Sequence, residues 1–234
     1  MNKEREKSIL EIAIKEKSVS VKDLAQRLYA SEPSIRRDLC SLEKQKLLRK
    51  THGGAVLDEN ALLQIKIPFL IRELEKGDGE IKIARKTADL IPDYSVIFLD
   101  VSTSAYVMIP FLTAKSNLIV ITNGIKALTK LSESNINCIG TGGKVINSCL
   151  AFVGEDSYRT IERYNADFCF FSCRGLSYDG RLTDISQPDN SVRLKMIKHS
   201  KKSYMLGTSD KLNKAYYHNL CTAEDISGII TAEE

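Results

Sequence analysis

Residues 31–44, Ser-Glu-Pro-Ser-Ile-Arg-Arg-Asp-Leu-Cys-Ser-Leu-Glu-Lys, constrain this chain more than any other stretch, because they suit one short, capped, basic helix. Ile35, Leu39 and Leu42 recur at the spacing that gathers them into one apolar stripe. That spacing leaves Arg37, Ser41 and Lys44 on the opposite side, with Ser34 and Arg36 at its margins. Ser31 suits the cap of the first amides, and Pro33 suits an early helical position where no amide proton is missed. Upstream, Ser20 followed by Asp23 has capping-box chemistry, and Val21, Leu24, Ala25 and Leu28 repeat at helical intervals. Two short helices therefore meet at a turn over 29–31. An earlier segment, 3–17, carries Ile9, Ile12 and Ala13 on one face, and three helices with the last two tightly joined make a helix-turn-helix. The stretch that follows, 47–56, reads as two strand-like arms around the pair Gly53-Gly54, a basic wing.

A lone basic amphipathic helix is usually only a solvated surface. With a capped helix before it and a basic wing after it, the reading shifts to a duplex-DNA binder. Arg36 and Arg37 are expected to contact bases or phosphates in the major groove, near Ser31 and Ser34 at the helix start. Lys22, Lys44, Arg49, Lys50 and His52 are expected to hold the sugar-phosphate backbone. Charge is distributed accordingly: residues 1–55 contain 13 lysines and arginines against 8 acidic residues, whereas the whole chain is only +4.

The stretch from Val19 to Val56, with Ser-Ile-Arg-Arg-Asp-Leu and His-Gly-Gly-Ala, resembles the winged helix-turn-helix of the DeoR-type bacterial transcriptional regulators. The resemblance implies a DNA-binding regulator.

At 234 residues the chain allows two domains, each with its own core. The expected division is a winged helix-turn-helix over 1–57, a linker over 58–76 and a second domain over 77–234. In the linker, periodicity weakens, Pro68 interrupts the run, and Gly77-Asp78-Gly79 punctuates it before a new helix. No apolar stretch approaches the roughly 20 residues that a membrane helix requires, and the N-terminus lacks the chemistry of a secretory signal, so no membrane partner and a cytoplasmic location are expected. The six cysteines, at 40, 138, 149, 169, 173 and 221, form no CxxC pair and no metal-finger spacing, so neither a metal site nor a disulfide framework is expected. Cys169 and Cys173 are the candidates for a thiol redox sensor, although the strand-like surroundings of Cys169 argue against reactivity.

From Glu80 onward, short apolar runs at 96–99, 118–121, 136–139, 168–171, 204–206 and 226–230 alternate with helical stretches at about 80–91, 103–113, 124–133, 154–164 and 188–200. Continuous apolar strands separated by helices imply an α/β domain with a mainly parallel sheet covered on both faces. Ligands of such sheets settle beyond the carboxyl ends of the strands. The residues there are small and polar: Asp100, Ser102, Thr103 and Ser104; Thr122 and Asn123; Gly142, Gly143 and Lys144; Arg174; Asp210 and Lys211. Hydroxyls, an amide and glycines at helix starts offer donors to an oxyanion, Lys144, Arg174 and Lys211 add charge, and Asp100 and Asp210 suit sugar hydroxyls. Each cluster alone is also ordinary turn and cap chemistry. Five in succession point to a phosphorylated small molecule.

The order Asp-x-x-Thr-Ser, Thr-Asn, Gly-Gly and a late Ser-x-Lys resembles the C-terminal sensor of the same family, which implies a ribose-5-phosphate isomerase-like fold and a phosphorylated sugar or related metabolite as effector. The carry-over rests on Asp100, Thr103, Thr122, Asn123, Gly142, Gly143 and Lys211. The chain departs from the family pattern at Ser102 and Ser172, where glycine is usual, and at Thr208, where aspartate is usual. A serine adds a side chain where backbone could otherwise approach phosphate, and the lost carboxylate removes a hydroxyl acceptor or base.

The expected function is a sequence-specific repressor of carbohydrate genes, a homodimer or homotetramer on repeated half-sites, with no cofactor. The rival is a sugar-phosphate isomerase-like enzyme with an appended DNA-binding domain, which needs a carboxylate base where Thr208 stands. A ligand-independent architectural DNA binder leaves the α/β domain unexplained.

Overall fold

The computed structural model describes residues 3–45, 47–57 and 77–233. They sort into two compact units, one within Met1–Glu75 and one within Lys76–Glu234. The linker reading over 58–76 falls outside the described residues.

In the N-terminal unit, α1 (Lys3–Glu16), α2 (Val21–Arg27) and α3 (Glu32–Lys44) pack around Ile9, Leu10, Ala13, Leu24, Ile35, Leu39 and Leu42, all essentially inaccessible to solvent. The apolar stripe of α3 is therefore the one its spacing predicts. Ser20 caps α2 through its hydroxyl, which accepts from the Asp23 amide at 3.1 Å. Ser31 occupies the N-cap of α3, but its hydroxyl makes no capping bond and pairs instead with the Ser34 hydroxyl at 3.0 Å. Asp38, on the buried side of α3, accepts from Arg5 of α1, so an ion pair fixes these two helices.

The wing is a three-stranded antiparallel sheet in which β3 (Gly54–Val56) lies between β1 (Ser18–Ser20) and β2 (Arg49–Thr51). β1 is an addition to the two arms expected from sequence. The two glycines also have different reasons: Gly53 is in the turn, whereas a Cβ at Gly54 would lie 1.9 Å from the Val19 carbonyl oxygen. Gly54 is there for close strand approach.

The C-terminal unit is built on a six-stranded sheet, entirely parallel. In chain order the strands are β4 (Val96–Leu99), β5 (Ile119–Thr122), β6 (Asn137–Gly140), β9 (Ala166–Phe171), β12 (Ser200–Leu206) and β14 (Gly228–Ile230), and they lie side by side as β14-β12-β9-β4-β5-β6. Alternate residues enter two cores. Ile97, Leu99, Val120, Phe170 and Leu206 go to one, while Phe98, Ile121, Cys169, Phe171 and Met205 go to the other. A strand buried on both faces has no polar alternation, which is why these strands read as continuous apolar runs.

α4 (Asp78–Asp89), α5 (Thr103–Leu112), α6 (Ile125–Ser132), α7 (Glu155–Ile161) and α8 (Gln187–Lys198) are the helices of this unit. Two antiparallel additions are absent from the sequence expectation: the hairpin of β7 (Lys144–Ile146) with β8 (Ala151–Val153), and a small sheet in which β11 (Arg181–Asp184) lies between β10 (Gly175–Leu176) and β13 (His218–Thr222). Their strands are only two to five residues long, too short for a period to show.

Candidate functional site

On the N-terminal unit, Arg36 and Arg37 are exposed on α3, as are Lys44 on its last turn, Lys22 on α2, and Arg49, Lys50 and His52 on the wing. Arg36 is held 3.4 Å from Glu32, one turn back. Arg37 donates weakly to the Ser34 hydroxyl at 3.3 Å and to the Pro33 carbonyl at 3.4 Å. Both guanidiniums can leave such exposed partners at small cost. The wing is tied to α3 at Lys50, whose amide donates to Glu43 at 3.0 Å and whose ammonium lies 3.1 Å from the half-buried Cys40 thiol. Helix and wing are thus joined, and both carry exposed basic side chains.

In the C-terminal unit the chain runs outward from β4 through β5 and β6, then returns to build β9, β12 and β14 on the other side of β4. The strand order reverses between β4 and β9, and the region beyond their carboxyl ends is the position where open α/β sheets hold ligands. Buried Asp100, leaving β4, has both carboxylate oxygens engaged. Oδ1 accepts from the Ser102 amide at 3.0 Å and hydroxyl at 2.5 Å, and Oδ2 accepts from the Ser172 amide at 3.4 Å and from Arg193 Nε at 2.8 Å. These bonds make Asp100 a brace between the loops after β4 and β9.

Ser102, one of the departures, caps α5 by accepting from the Ala105 amide at 3.2 Å. Ser172, another, donates to the Leu206 carbonyl at 2.6 Å and accepts from Lys211 Nζ at 2.7 Å. Lys211 also donates to Ser104 at 3.0 Å, and Ser104 donates onward to Glu80 of α4 at 3.3 Å. The lysine ammonium therefore stands at the start of α5, between two hydroxyls. Burial lowers its pKa below the ordinary lysine value, against the pull of Asp210 and Glu80.

The loop after β5 adjoins this cluster, since a Cβ on Gly124 would come within 3.3 Å of Val101 Cα. Thr122 accepts from the Gly124 amide at 3.0 Å, and buried Asn123 donates to the Phe152 carbonyl at 3.2 Å while its Oδ1 has no hydrogen-bond partner. Gly142 and Gly143 take left-handed backbone, with φ of 66° and 108°, and the Ser157 hydroxyl of α7 donates to the Gly142 carbonyl at 2.6 Å. Thr103 is buried in the first turn of α5.

The structure brings Asp100, Ser102, Ser104 and Lys211 into one bonded group and sets Thr122, Asn123, Gly142 and Gly143 along the adjoining strand ends. Lys144 is exposed, Asp210 is exposed and acts on the group through its charge beside Lys211, and Arg174 turns to Asp184, 3.7 Å away. Sequence reasoning missed Arg193, which bridges Asp100 and Asp184, the latter at 2.8 Å from Nη1. Burial opposes its charge, but the carboxylates of Asp184 and Asp100 outweigh that and hold the guanidinium above its ordinary pKa. The available signal was Asp189, Asn190 and Arg193 at helical spacing beside Val192 and Met196. Polar side chains on the buried side of a helix need partners.

Cys169 and Cys173 are both buried, and burial pushes their thiols up, that of Cys173 to about 11, opposite to what a thiolate sensor needs. Among the described residues no group of three or more His, Cys, Asp or Glu is placed to hold a metal ion, and no helix is long and apolar enough to cross a membrane.

Comparison with known proteins places both units in one family. Residues 5–61 match the DeoR-like helix-turn-helix domain, and residues 76–233 match the DeoR C-terminal sensor domain. The chain is 32% identical over 228 residues to the L-fucose operon activator of Haemophilus influenzae, covering 97% of this chain and 89% of that protein. It is 25% identical over 229 residues to the glycerol-3-phosphate regulon repressor of Escherichia coli, covering 97% and 90%. Among solved structures it is similar to ribose 5-phosphate isomerase A from Methanocaldococcus jannaschii, with TM-score 0.44 and 14% identity over 57% of this chain and about half, 53%, of that one. With both domain types matched in order across nearly its whole length, the chain belongs to the DeoR family of helix-turn-helix transcriptional regulators.

Proposed function

We propose that this regulator is a repressor that reads its operator with α3 and the wing, and releases or tightens it when a phosphorylated sugar or related metabolite binds beyond the carboxyl ends of β4 and β9. The single observation that carries the effector class is the position of Lys211. A cation sits at the amino end of α5, where the helix dipole already favours negative charge, and its ammonium donates to the hydroxyls of Ser104 and Ser172. An anion entering there competes with the carboxylates of Asp210 and Glu80 for the ammonium. Thr122, Asn123, Gly142 and Gly143 line the remainder, where the partnerless Asn123 Oδ1 suits a hydroxyl donor from the carbon chain of the effector. The Escherichia coli relative is named for a glycerol phosphate regulon and the Haemophilus relative for a fucose operon, and both names fit a carbohydrate effector.

Arg36 and Arg37 carry base reading, and Lys22, Lys44, Arg49, Lys50 and His52 hold phosphates, with Ser31 and Ser34 at the groove edge. A single winged helix offers too little contact for an operator, so two or four copies bind together. The protein acts by binding and not by turnover: the site holds its carboxylate, Asp100, in bonds to the chain itself.

The test is a thermal-shift screen of phosphorylated sugars against the full chain, followed by operator binding with and without each hit. A selective, concentration-dependent stabilisation that changes operator affinity is the expected result. Stabilisation by no phosphorylated sugar, or conversion of pentose phosphates by the purified protein, overturns the reading.

A further inference from the structure

Tyr29 lies in the turn between α2 and α3, two residues before the α3 cap, and its backbone is left-handed at φ 48°. Only glycine holds that conformation without a steric penalty, so a tyrosine there is strained. The turn itself is well bonded. The Leu28 amide donates to the Leu24 carbonyl at 2.9 Å and the Ala30 amide to the Ala25 carbonyl at 3.0 Å, which makes the conformation obligatory whatever residue stands at 29. The side chain gains nothing from the fold in return, being 98% exposed. A large aromatic ring with a polar tip is thus kept in water, on strained backbone, beside the amino end of the basic helix.

The neighbouring groups say what such a tip can meet. Ser31 and Ser34 present exposed or half-exposed hydroxyls, and Arg37 reaches back to Ser34. The acidic residue nearest in sequence, Glu32, is paired with Arg36. Two hydroxyls and a guanidinium, groups that can donate to anionic oxygen, gather at this end of the helix, and Tyr29 lies two residues before its cap.

We propose that the Tyr29 hydroxyl donates a hydrogen bond to a backbone phosphate of bound duplex DNA, at the edge of the groove that α3 enters. The proposal rests on the reading that α3 lies in that groove. A contact of this kind carries no base information, and a neutral donor releases no counterion. It strengthens binding to every duplex by the same factor and leaves the salt slope unaltered.

The experiment measures binding of full-length protein to a fluorescent duplex enriched by the wild-type chain from a random pool, and to a scrambled duplex of equal length, over a range of salt. Tyr29→Phe removes only the hydroxyl. Tyr29→Gly removes the whole side chain and relieves the backbone strain. Both are expected to weaken both duplexes by about tenfold with an unchanged salt slope, while the glycine variant melts no lower than wild type. Tyr94→Gly, at an exposed left-handed tyrosine of the C-terminal unit, is expected to change neither. Wild-type binding by both Tyr29 variants overturns the proposal. So does a loss with glycine but not with phenylalanine, which assigns the effect to the ring, and so does a loss confined to the enriched duplex, which assigns it to base reading. Arg37→Ala separates the premise: if that variant also binds as wild type, the groove placement of α3 fails. If it weakens binding while both Tyr29 variants do not, Tyr29 alone fails.

Discussion

Arg193 Nε donates to Asp100 Oδ2 at 2.8 Å, joining residues 93 positions apart in sequence, and the same guanidinium reaches Asp184 through Nη1. One side chain of α8 therefore pins the exit of β4 and the end of β11. All three groups are buried, so their charges interact in a medium that screens them poorly, and removing the cation leaves two carboxylates facing each other without water. Arg193→Met is expected to destabilise the chain by about 3–5 kcal/mol, read as a lower urea midpoint at an unchanged slope. Arg193→Lys should recover only part of this, because an ammonium cannot fork to two acids held on different strands.

Lys211 is expected to make the proposed effector site sensitive to pH. Its folded-state pKa lies below the ordinary lysine value, so over the interval between the two the unfolded chain binds more protons and stability rises with pH. An anionic effector acts oppositely. It favours the charged lysine, takes up a proton on binding in that interval, and binds more weakly as pH rises through the folded-state pKa. Calorimetry in two buffers of different ionisation enthalpy should show the proton uptake in the wild type and lose it in Lys211→Met, with affinity reduced at least tenfold, as expected for a charge-assisted contact. An effector affinity that is flat with pH in the wild type contradicts the role.

Much of this was legible in the sequence. The stripe of Ile35, Leu39 and Leu42 and the runs that became β4, β5 and β9 were visible because burial on one face of a helix, or on both faces of a strand, imposes a period. The small polar residues after each strand were visible because connections at the carboxyl ends have fixed chemistry. Arg193 was hidden because partners 93 positions apart impose no local pattern. Ser172 was noticed as a departure, but its bond to Lys211 depends on β12 lying beside β9, a pairing no spacing reveals. Asp100 was visible as an acid after a strand, but the guanidinium it accepts from was not.

On the DNA-reading surface, two substitutions should separate base reading from backbone holding. Arg37→Ala is expected to relax specificity by about 1–3 kcal/mol at one base pair, seen as a smaller ratio between operator and mismatched duplex. Lys50→Ala should weaken all duplexes alike and reduce the slope of log affinity against log salt by about one. Gel-shift titrations on matched and mismatched duplexes at several salt concentrations check both.

The glycines beyond β6 give a graded test of the site's second half. At Gly142, φ is 66° and a Cβ would meet nothing within 4 Å, so the only penalty for a side chain is the left-handed backbone, which asparagine tolerates. At Gly143, φ is 108°, and the added Cβ would stand 2.7 Å from the Val153 carbonyl oxygen and 3.2 Å from the Ser157 amide. Those are backbone atoms of β8 and of the first turn of α7, and neither can swing aside as a flexible side chain would. Gly143→Ala must therefore displace the β7–β8 hairpin or the start of α7, with a loss of about 1–3 kcal/mol in unfolding free energy and of effector-induced stabilisation. Gly142→Asn should fall within about 1 kcal/mol of wild type and retain the effector response. Equal responses from the two variants would mean that close backbone packing at Gly143 does not shape the site.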